Sequence, residues 1–259
     1  MNQSERRIYL IQSLLKERPE YCDVAIPTDI QEQKSLLRGL MNIRIPKNID
    51  DKFLEIQDDY LKEEILEKHI TKLSDLIPIQ KGIYLWQGDI TALECDAIVN
   101  AANSGMTGCY VPNHRCIDNC IHTFAGVELR LECAKLMQAQ GYEEPTGKAK
   151  ITKAYNLPCK YVLHTVGPIV QGKLTGKNME MLASCYNSCM ELADKNGIKS
   201  IAFCCISTGE FHFPNQKAAE IAVKTVMEYR KKTESKMEVI FNVFKDMDKE
   251  IYEKLLRRN

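Results

Sequence analysis

The chain has 259 residues, enough for one or two domains with a substantial hydrophobic core, which excludes a short disulfide-stabilised peptide. Its 44% hydrophobic and 27% charged residues, with only 13 Gly and 9 Pro, are typical of a folded globular protein rather than a disordered or collagenous one. The 35 basic residues balance 35 acidic ones, so no overall field would hold a nucleic acid, whereas a local anion site stays possible.

The chain has no apolar run near the roughly 18 residues that a membrane span needs. Its first residues, MNQSERRIYLIQSLL, lack the apolar core and the small-residue cleavage site of a signal peptide. We therefore expect a cytoplasmic protein with neither a membrane nor a nucleic acid as partner. Its 11 cysteines, an odd number, indicate reduced thiols or metal ligands rather than a disulfide framework.

Residues 1–76 predict a small all-helical extension, because they are rich in Leu, Ile, Lys and Glu and show helical spacing of apolar residues. Pro27 and Pro46 divide this segment into three helices, and the acidic residues of IPTD and IPKNIDD are N-cap candidates. Nothing in the segment indicates chemistry. We expect it to cover an exposed face of the sheet, although recognition of a protein partner is an alternative.

Residues 77–259 have a different texture, in which short apolar runs alternate with helical stretches. The predicted strands are IYLW, CDAIVNAA, KYVLHTV, KSIAFCCI and MEVIFNVF, and the predicted helices include 115–137, 178–196 and 215–231. This alternation predicts an α/β domain whose sheet is sandwiched by helices. KSIAFCCI is apolar on both alternating faces and therefore belongs in the centre of the sheet.

Ligands of open α/β sheets bind beyond the carboxyl ends of the strands, and three such ends are polar or glycine-rich here: WQGDIT, IVNAANSGMTGC and CISTGEFHFPN. The spacing of glycines matches neither a Rossmann fingerprint nor a P-loop. Gly209 nevertheless lies in a loop that leads to Pro214 and Asn215 at a predicted helix start, where free N–H groups favour phosphate. A simple strand-to-helix turn is the alternative.

Polar side chains at two of these ends suit the other parts of a nucleotide. Asp89 can accept a hydrogen bond from an adenine amine, and Asn100 and Asn103 can donate to and accept from ribose hydroxyls. Each residue also has a purely structural alternative, since Asp and Asn commonly form turns and helix caps.

The segment GCYVPNHRCIDNCIH contains the strongest local signal. Cys109, His114 and Cys116 fall in one short loop that Pro112 bends, and three such ligands without an obvious fourth describe zinc with one open position. Three unlinked surface residues are the alternative. Cys120 and His122 are spare ligands, but the apolar spacing around them places them on a following helix.

Taken together, QGDIT, DAIVNAANS, TGKAKIT, YVLHTVGP and STGEFHFP resemble the macrodomain, an ADP-ribose-binding module, from about residue 83 to residue 244. The loop GCYVPNHRCIDNCIHTFAGVELR resembles the zinc-containing branch of that family, which also carries a helical N-terminal extension of this size. The resemblance implies a three-layer α/β/α fold with a mixed central sheet and the division 1–76 and 77–259. It also implies ADP-ribose as ligand and Zn²⁺ as cofactor.

The resemblance assigns residues to parts of the ligand. Asp89 would receive the adenine amine beside the backbone of Ile90, and Asn100 and Asn103 would contact the distal ribose. Zinc would be held by Cys109, His114 and Cys116. The loop that wraps the pyrophosphate would be formed by Ser207, Thr208, Gly209, Glu210 and Phe211.

The chain departs from the common macrodomain pattern at two places. His212 stands where many members have glycine, and the double glycine before an acid in the catalytic loop is missing, so Asp118 is the nearest carboxylate. The resemblance implies a zinc-dependent hydrolase that removes mono-ADP-ribose from modified protein side chains, with Asn103 and Asp118 as catalytic candidates. Alternatives are a reader that binds ADP-ribosylated partners without cleaving them and a hydrolase of small esters such as O-acetyl-ADP-ribose.

Overall fold

The computed structural model describes residues 1–21 and 23–258 and begins with three helices. These are α1 (Gln3–Lys16), α2 (Ile30–Ile43) and α3 (Asp51–Leu66), as the positions of the prolines predict. Asp29 caps α2 by accepting the N–H groups of its first turn, and Asp50 caps α3 in the same way. Both N-cap predictions are therefore confirmed.

The three helices share a buried apolar cluster with the rest of the chain. Leu10, Leu37 and Phe53 lie in this cluster, and Val127 from a later helix joins them. The backbone N–H of Val127 also donates to Gln57 Oε1 at 2.9 Å. The helical extension therefore packs directly on the α/β part of the chain.

The main sheet has six strands in the order β2-β8-β7-β4-β6-β5. Their bounds are β2 (Ile83–Gln87), β4 (Ala97–Ala102), β5 (Ala149–Lys153), β6 (Tyr161–Val166), β7 (Ser200–Phe203) and β8 (Glu238–Val243). A separate two-stranded ladder joins β1 (Thr71–Lys72) to β3 (Leu93–Glu94). The strand predicted from KSIAFCCI is β7, and it lies inside the sheet between β8 and β4, as expected.

All neighbouring strands of the sheet are parallel except β5, which pairs antiparallel with β6 at one edge. The sheet is therefore mixed, as the resemblance implies. The carboxyl ends of β2, β4, β7 and β8 lie at the same edge of the sheet because these four strands run parallel. The loops that follow them supply the candidate site.

The predicted helix 115–137 is wrong as a single element. The structure has α4 (Ile117–Ala125) and α5 (Val127–Gln140), separated at Gly126, whose φ of 101° is open to glycine and not to a continuing helix. A Cβ at this position would stand 2.6 Å from Gln57 Nε2. Apolar spacing continues through the break, so periodicity alone did not reveal it.

The remaining helices are α6 (Gly176–Lys195), α7 (Asn215–Thr233) and α8 (Asp246–Arg258), which pack against one another in sequence. The first two agree with the predictions 178–196 and 215–231 to within two residues at each end. The sheet is thus flanked by helices in an α/β/α arrangement. The largest of the apolar clusters lies between the sheet and these helices. Within the part of the chain that the structure describes, no helix is long and apolar enough to cross a membrane.

Candidate functional site

Cys109, His114 and Cys116 come together in the loop between β4 and α4. Their ligand atoms all lie within 4.8 Å of one another, and Cys109 Sγ is 3.5 Å from His114 Nδ1. All three side chains are partly exposed. The ten cysteines among the described residues are free thiols, so neither of the two sulfurs is engaged in a disulfide.

The local electrostatics of this cluster suit a divalent cation. Burial raises the pKa of the Cys116 thiol to about 12, because it disfavours the charged thiolate. The nearby Cys109 adds to the increase, since two adjacent thiolates repel each other without a positive charge between them. Cys116 is also the N-cap of α4, and its sulfur accepts the N–H of Asn119 at 3.4 Å. Two thiols and one imidazole fit zinc, which favours sulfur and nitrogen ligands.

Asp118 lies in the first turn of α4 and is almost completely buried beside this cluster. Asn100 Nδ2 donates to its Oδ1 at 2.8 Å, and Asn103 Nδ2 donates to its Oδ2 at 3.4 Å. Burial raises the pKa of Asp118 to about 6, although the bond from Asn100 opposes this change. The structure therefore brings both predicted ribose asparagines onto one carboxylate.

Asn100 and Asn103 differ in what they can reach. Asn100 is fully buried inside β4, and its second amide proton goes to His164 Nδ1 at 3.1 Å. His164 consequently carries its own proton on Nε2, which is 2.9 Å from Thr152 Oγ1. Asn103 is only partly buried and follows the end of the strand, where a ligand can approach it.

His164 belongs to a second group of possible metal ligands, with His122 and Cys133, that is entirely buried. Both nitrogens of His164 already have hydrogen-bond partners, and burial lowers its pKa to about 3. The His122 ring lies 6.0 Å from that of His164, and burial also lowers its pKa. We interpret His164 as a hydrogen-bonded core residue. His122 lies on α4, as its spacing predicts.

Asp89 follows β2 and caps a short 3-10 helix that begins at Ile90. Its Oδ1 accepts Thr91 N at 3.0 Å, and its Oδ2 accepts Lys68 Nζ at 2.8 Å. Burial alone would raise the pKa of Asp89, but the charge and hydrogen bond of Lys68 outweigh it and lower the pKa. Asp89 is therefore ionised and in reach of a donor, and it also plays the capping role that was its structural alternative.

Ser207, Thr208, Gly209, Glu210 and Phe211 form the loop after β7. The carbonyl of Ser207 accepts the N–H of Phe213 at 2.9 Å, and the N–H of Thr208 donates to the carbonyl of Cys205 at 3.4 Å. Among the described residues, the backbone N–H groups of Gly209, Glu210 and Phe211 have no acceptor. Such a run of free N–H groups is a suitable binding surface for phosphate.

His212 adopts φ 55°, and Ser207 adopts φ 65°, both in the left-handed region. The position where many macrodomains have glycine thus keeps a glycine-like backbone in spite of its side chain. His212 N also donates to the carbonyl of Gly209 at 3.0 Å, which closes the turn.

The metal-ligand loop and the loop after β7 meet across the site. His114 Nε2 lies 3.6 Å from Glu210 Oε1, whose side chain is largely exposed. The two candidate subsites are thus neighbours in space, although the chain separates them by almost 100 residues.

Two residues near Asp89 have no counterpart in the sequence-based predictions. Phe244 directly follows β8 and is 76% exposed, and its carbonyl accepts Gln87 Nε2 at 3.2 Å. An aromatic residue at the very end of the predicted strand MEVIFNVF was a signal that could have identified it. Lys68 pairs with Asp89 across 21 residues, and no local pattern indicated that contact.

Known proteins resemble this chain in sequence and in fold. The family model of the Macro domain matches residues 99–222. A protein of Treponema medium called protein-ADP-ribose hydrolase is 60% identical, over 99% of this chain and 100% of its own length. A protein of the same name from Staphylococcus aureus (strain MRSA252) is 49% identical, over 97% of this chain and 95% of its own. The crystal structure of a Trypanosoma brucei macrodomain in complex with ADP-ribose is 29% identical with a TM-score of 0.66, covering 85% of this chain and 94% of that one.

Proposed function

We propose, from the premise that this chain belongs to the macrodomain family, that it is a zinc-dependent hydrolase that removes mono-ADP-ribose from modified protein side chains. The observation that carries the proposal is the position of the Cys109, His114 and Cys116 cluster beside Asp118 and Asn103 at the carboxyl edge of the sheet. The enzymatic activity is supported by the two relatives called protein-ADP-ribose hydrolase, which align with this chain over nearly its full length.

ADP-ribose would lie along this edge from β2 to the metal-ligand loop. Asp89 would accept the adenine amine, with the backbone of Ile90 beside it, and the exposed ring of Phe244 offers a surface for the base. The N–H groups of residues 209–211 would bind the pyrophosphate. These contacts lie far from the reacting carbon and would act by orienting the substrate.

Asn103 would hold the distal ribose, and Asp118 would accept a proton from the attacking water or stabilise the positive charge that develops on the ribose ring. Asn100, which is fully buried, would act on this step through its hydrogen bond to Asp118 rather than by touching the ligand. Hydrolysis adds the hydroxyl of water to the released fragment and returns a proton to the freed side chain.

Zinc, held by Cys109, His114 and Cys116, would supply a mild Lewis acid, because two thiolates nearly neutralise its charge. A structural zinc site normally has four protein ligands. The cluster contains three, which favours a role in the reaction over a purely structural one.

The proposal is tested with an automodified, mono-ADP-ribosylated protein labelled on the ADP-ribose. The intact chain is expected to release the label, and Cys116→Ala is expected to lose zinc and turnover. The matched control is Cys95→Ala, since Cys95 precedes the amino end of β4, away from the site, and should leave activity unchanged. Zinc content is measured on each variant.

Each other outcome has a defined meaning. Retained hydrolysis by metal-free Cys116→Ala would remove zinc from the mechanism. Stable capture of the labelled protein by the intact chain, without release, would identify a reader. Turnover of O-acetyl-ADP-ribose without turnover of the modified protein would identify a small-ester hydrolase.

A further inference from the structure

The metal-ligand loop rests on α2 of the helical extension, and Arg38 makes the central contact. Arg38 Nη2 donates to the carbonyl of His114 at 2.8 Å and to Asn119 Oδ1 at 3.0 Å. These two bonds use both protons of that nitrogen. Cys120 Sγ lies 3.4 Å from the same atom. One guanidinium nitrogen from the extension therefore holds the backbone of a candidate ligand residue.

Asn119 extends the effect of Arg38 to the other two ligand residues. Its Nδ2 is 3.0 Å from the carbonyl of Val111 and 3.5 Å from that of Cys109, and its backbone N–H donates to Cys116 Sγ. Because Arg38 occupies Asn119 Oδ1, the amide orientation that points Nδ2 at the loop is fixed. A single hydrogen-bonded chain thus runs from α2 to all three ligand residues.

A second contact from α2 holds the turn of the loop. The backbone N–H of Asn113, which has φ 56°, donates to Asn42 Oδ1 at 2.9 Å. Gly39 lies under the same turn, where an added Cβ would be 3.3 Å from Asn113 Nδ2 and 3.7 Å from Pro112 Cβ. The helix therefore packs against the loop at close distance.

Arg130, on α5, joins the end of α2 to the start of the loop. Its Nη1 donates to the carbonyls of Asn42 and Arg44 at 2.5 and 2.7 Å, where the carbonyl end of a helix favours a cation. Its Nε donates to the carbonyl of Thr107 at 2.7 Å, and its Nη2 to that of Cys109 at 3.3 Å. Arg130 thus links the end of α2 to the metal-ligand loop, in addition to the direct contacts that α2 makes with that loop.

We propose that α2 of the helical extension is part of the metal-binding architecture, with Arg38 as the positioning residue that preorganises Cys109, His114 and Cys116. The inference rests on the proposed function, because it takes this cluster as the zinc site. It changes the role expected for the extension, from a cover for the sheet to a support for the ligands. Residues that do not bind the metal themselves but orient its ligands through hydrogen bonds contribute substantially to metal affinity.

The test compares zinc affinity in the full-length chain, by competition with a chromogenic chelator, for three variants. Arg38→Met keeps the aliphatic stem and removes the donors, and its zinc affinity is expected to fall by about 10- to 100-fold. The matched control is Arg6→Met, since Arg6 also lies in the extension and forms an ion pair with Asp59 at 2.9 Å without touching the loop. Its zinc affinity should equal that of the unmodified chain.

A third variant, Arg38→Lys, keeps the charge on a shorter side chain that cannot reach both acceptors, and we expect it to show an intermediate affinity. The absorption spectrum of the cobalt-substituted protein reports independently on distortion of the ligand geometry, and circular dichroism reports on folding. If Arg38→Met does not fold, Arg38→Lys decides the question.

The two proposals fail in different ways. Failure of the unmodified chain to bind zinc would refute the proposed metal site. Tight zinc binding by the unmodified chain and equally tight binding by folded Arg38→Met, or by Arg38→Lys where Arg38→Met is unfolded, would refute the role of Arg38 alone.

Discussion

Replacing Lys68 with methionine is expected to tighten the binding of ADP-ribose. Lys68 Nζ lies 2.8 Å from Asp89 Oδ2, 3.0 Å from Thr91 Oγ1 and 3.1 Å from the centroid of the Phe124 ring. Asp89 Oδ1 is already engaged by Thr91. An adenine amine that donates to Asp89 would share Oδ2 with the ammonium group, whose positive charge repels the partly positive hydrogens of the amine.

The size of the effect follows from the interactions that the ligand would weaken. The ion pair is partly exposed, with 24% of the Lys68 side chain and 42% of the Asp89 side chain accessible, so it contributes about 0.2–1 kcal/mol. The contact with the ring of Phe124 adds about 0.5–1 kcal/mol. If the Lys68 interactions oppose ADP-ribose binding by roughly 1 kcal/mol, removing them makes the binding about fivefold tighter.

Isothermal titration calorimetry, with ADP-ribose titrated into the purified chain, measures this change in the dissociation constant. Lys72→Met is the control, since Lys72 is exposed and lies four residues further along. In a double-mutant cycle with Asp89→Ala, the gain from Lys68→Met should disappear, because the competition acts through Asp89. Unchanged or weaker binding by Lys68→Met would show that Lys68 supports the adenine end instead of competing for it.

Three further predictions concern binding, stability and pH. Asp89→Ala should raise KM for the modified protein by about tenfold with little change in kcat, because the adenine contact is lost far from the reacting carbon; a selective fall in kcat would contradict this. Gly126→Ala should lower the free energy of unfolding, measured in urea, by about 2–3 kcal/mol, because alanine is strained at positive φ and its Cβ would displace Gln57. The control is Gly172→Ala, at φ 81° with open space around it, which should lose only the part that comes from backbone strain. The pKa of His164 is about 3 in the folded chain and 6.5 when unfolded, so the unfolded state takes up a proton first and stability is lost as pH falls below 6.5. Between pH 7 and pH 5.5 the contribution of His164 is a loss of roughly 1 kcal/mol, which urea titrations should find missing in His164→Gln.

The order of strands and helices was predictable because burial imposes a local period on the sequence. The strand β7, apolar on both faces, was correctly placed inside the sheet. The edge strand β5, AKITK, was not predicted as a strand, since it has one neighbouring strand and its only large apolar residue is Ile151. The break at Gly126 was missed because apolar spacing continues through it, and the side chain that would meet a Cβ there belongs to Gln57, 69 residues earlier.

The candidate site likewise has one part that the sequence predicts and another part that it does not. The ligand cluster was predictable because its members lie within eight residues of one another, and a short loop limits how far apart their side chains can be. The contacts of Arg38 and Lys68 were not predictable. Each arises only when the extension packs on the α/β part of the chain, and hydrogen bonds between distant segments leave no periodic trace in the sequence.

Three positive charges beside the site make contacts that support the structure of the protein. Arg38 and Arg130 donate to loop carbonyls, and Lys68 pairs with Asp89. Residues 204–215, which include the candidate phosphate loop, contain no Lys or Arg and carry the acid Glu210. The binding of a pyrophosphate in this loop would therefore depend on backbone N–H groups with fixed directions. Such groups select a ligand by its shape, whereas a cluster of lysines would select it by its charge alone. The zero formal net charge of the chain likewise supplies no overall field that would attract a polyanion.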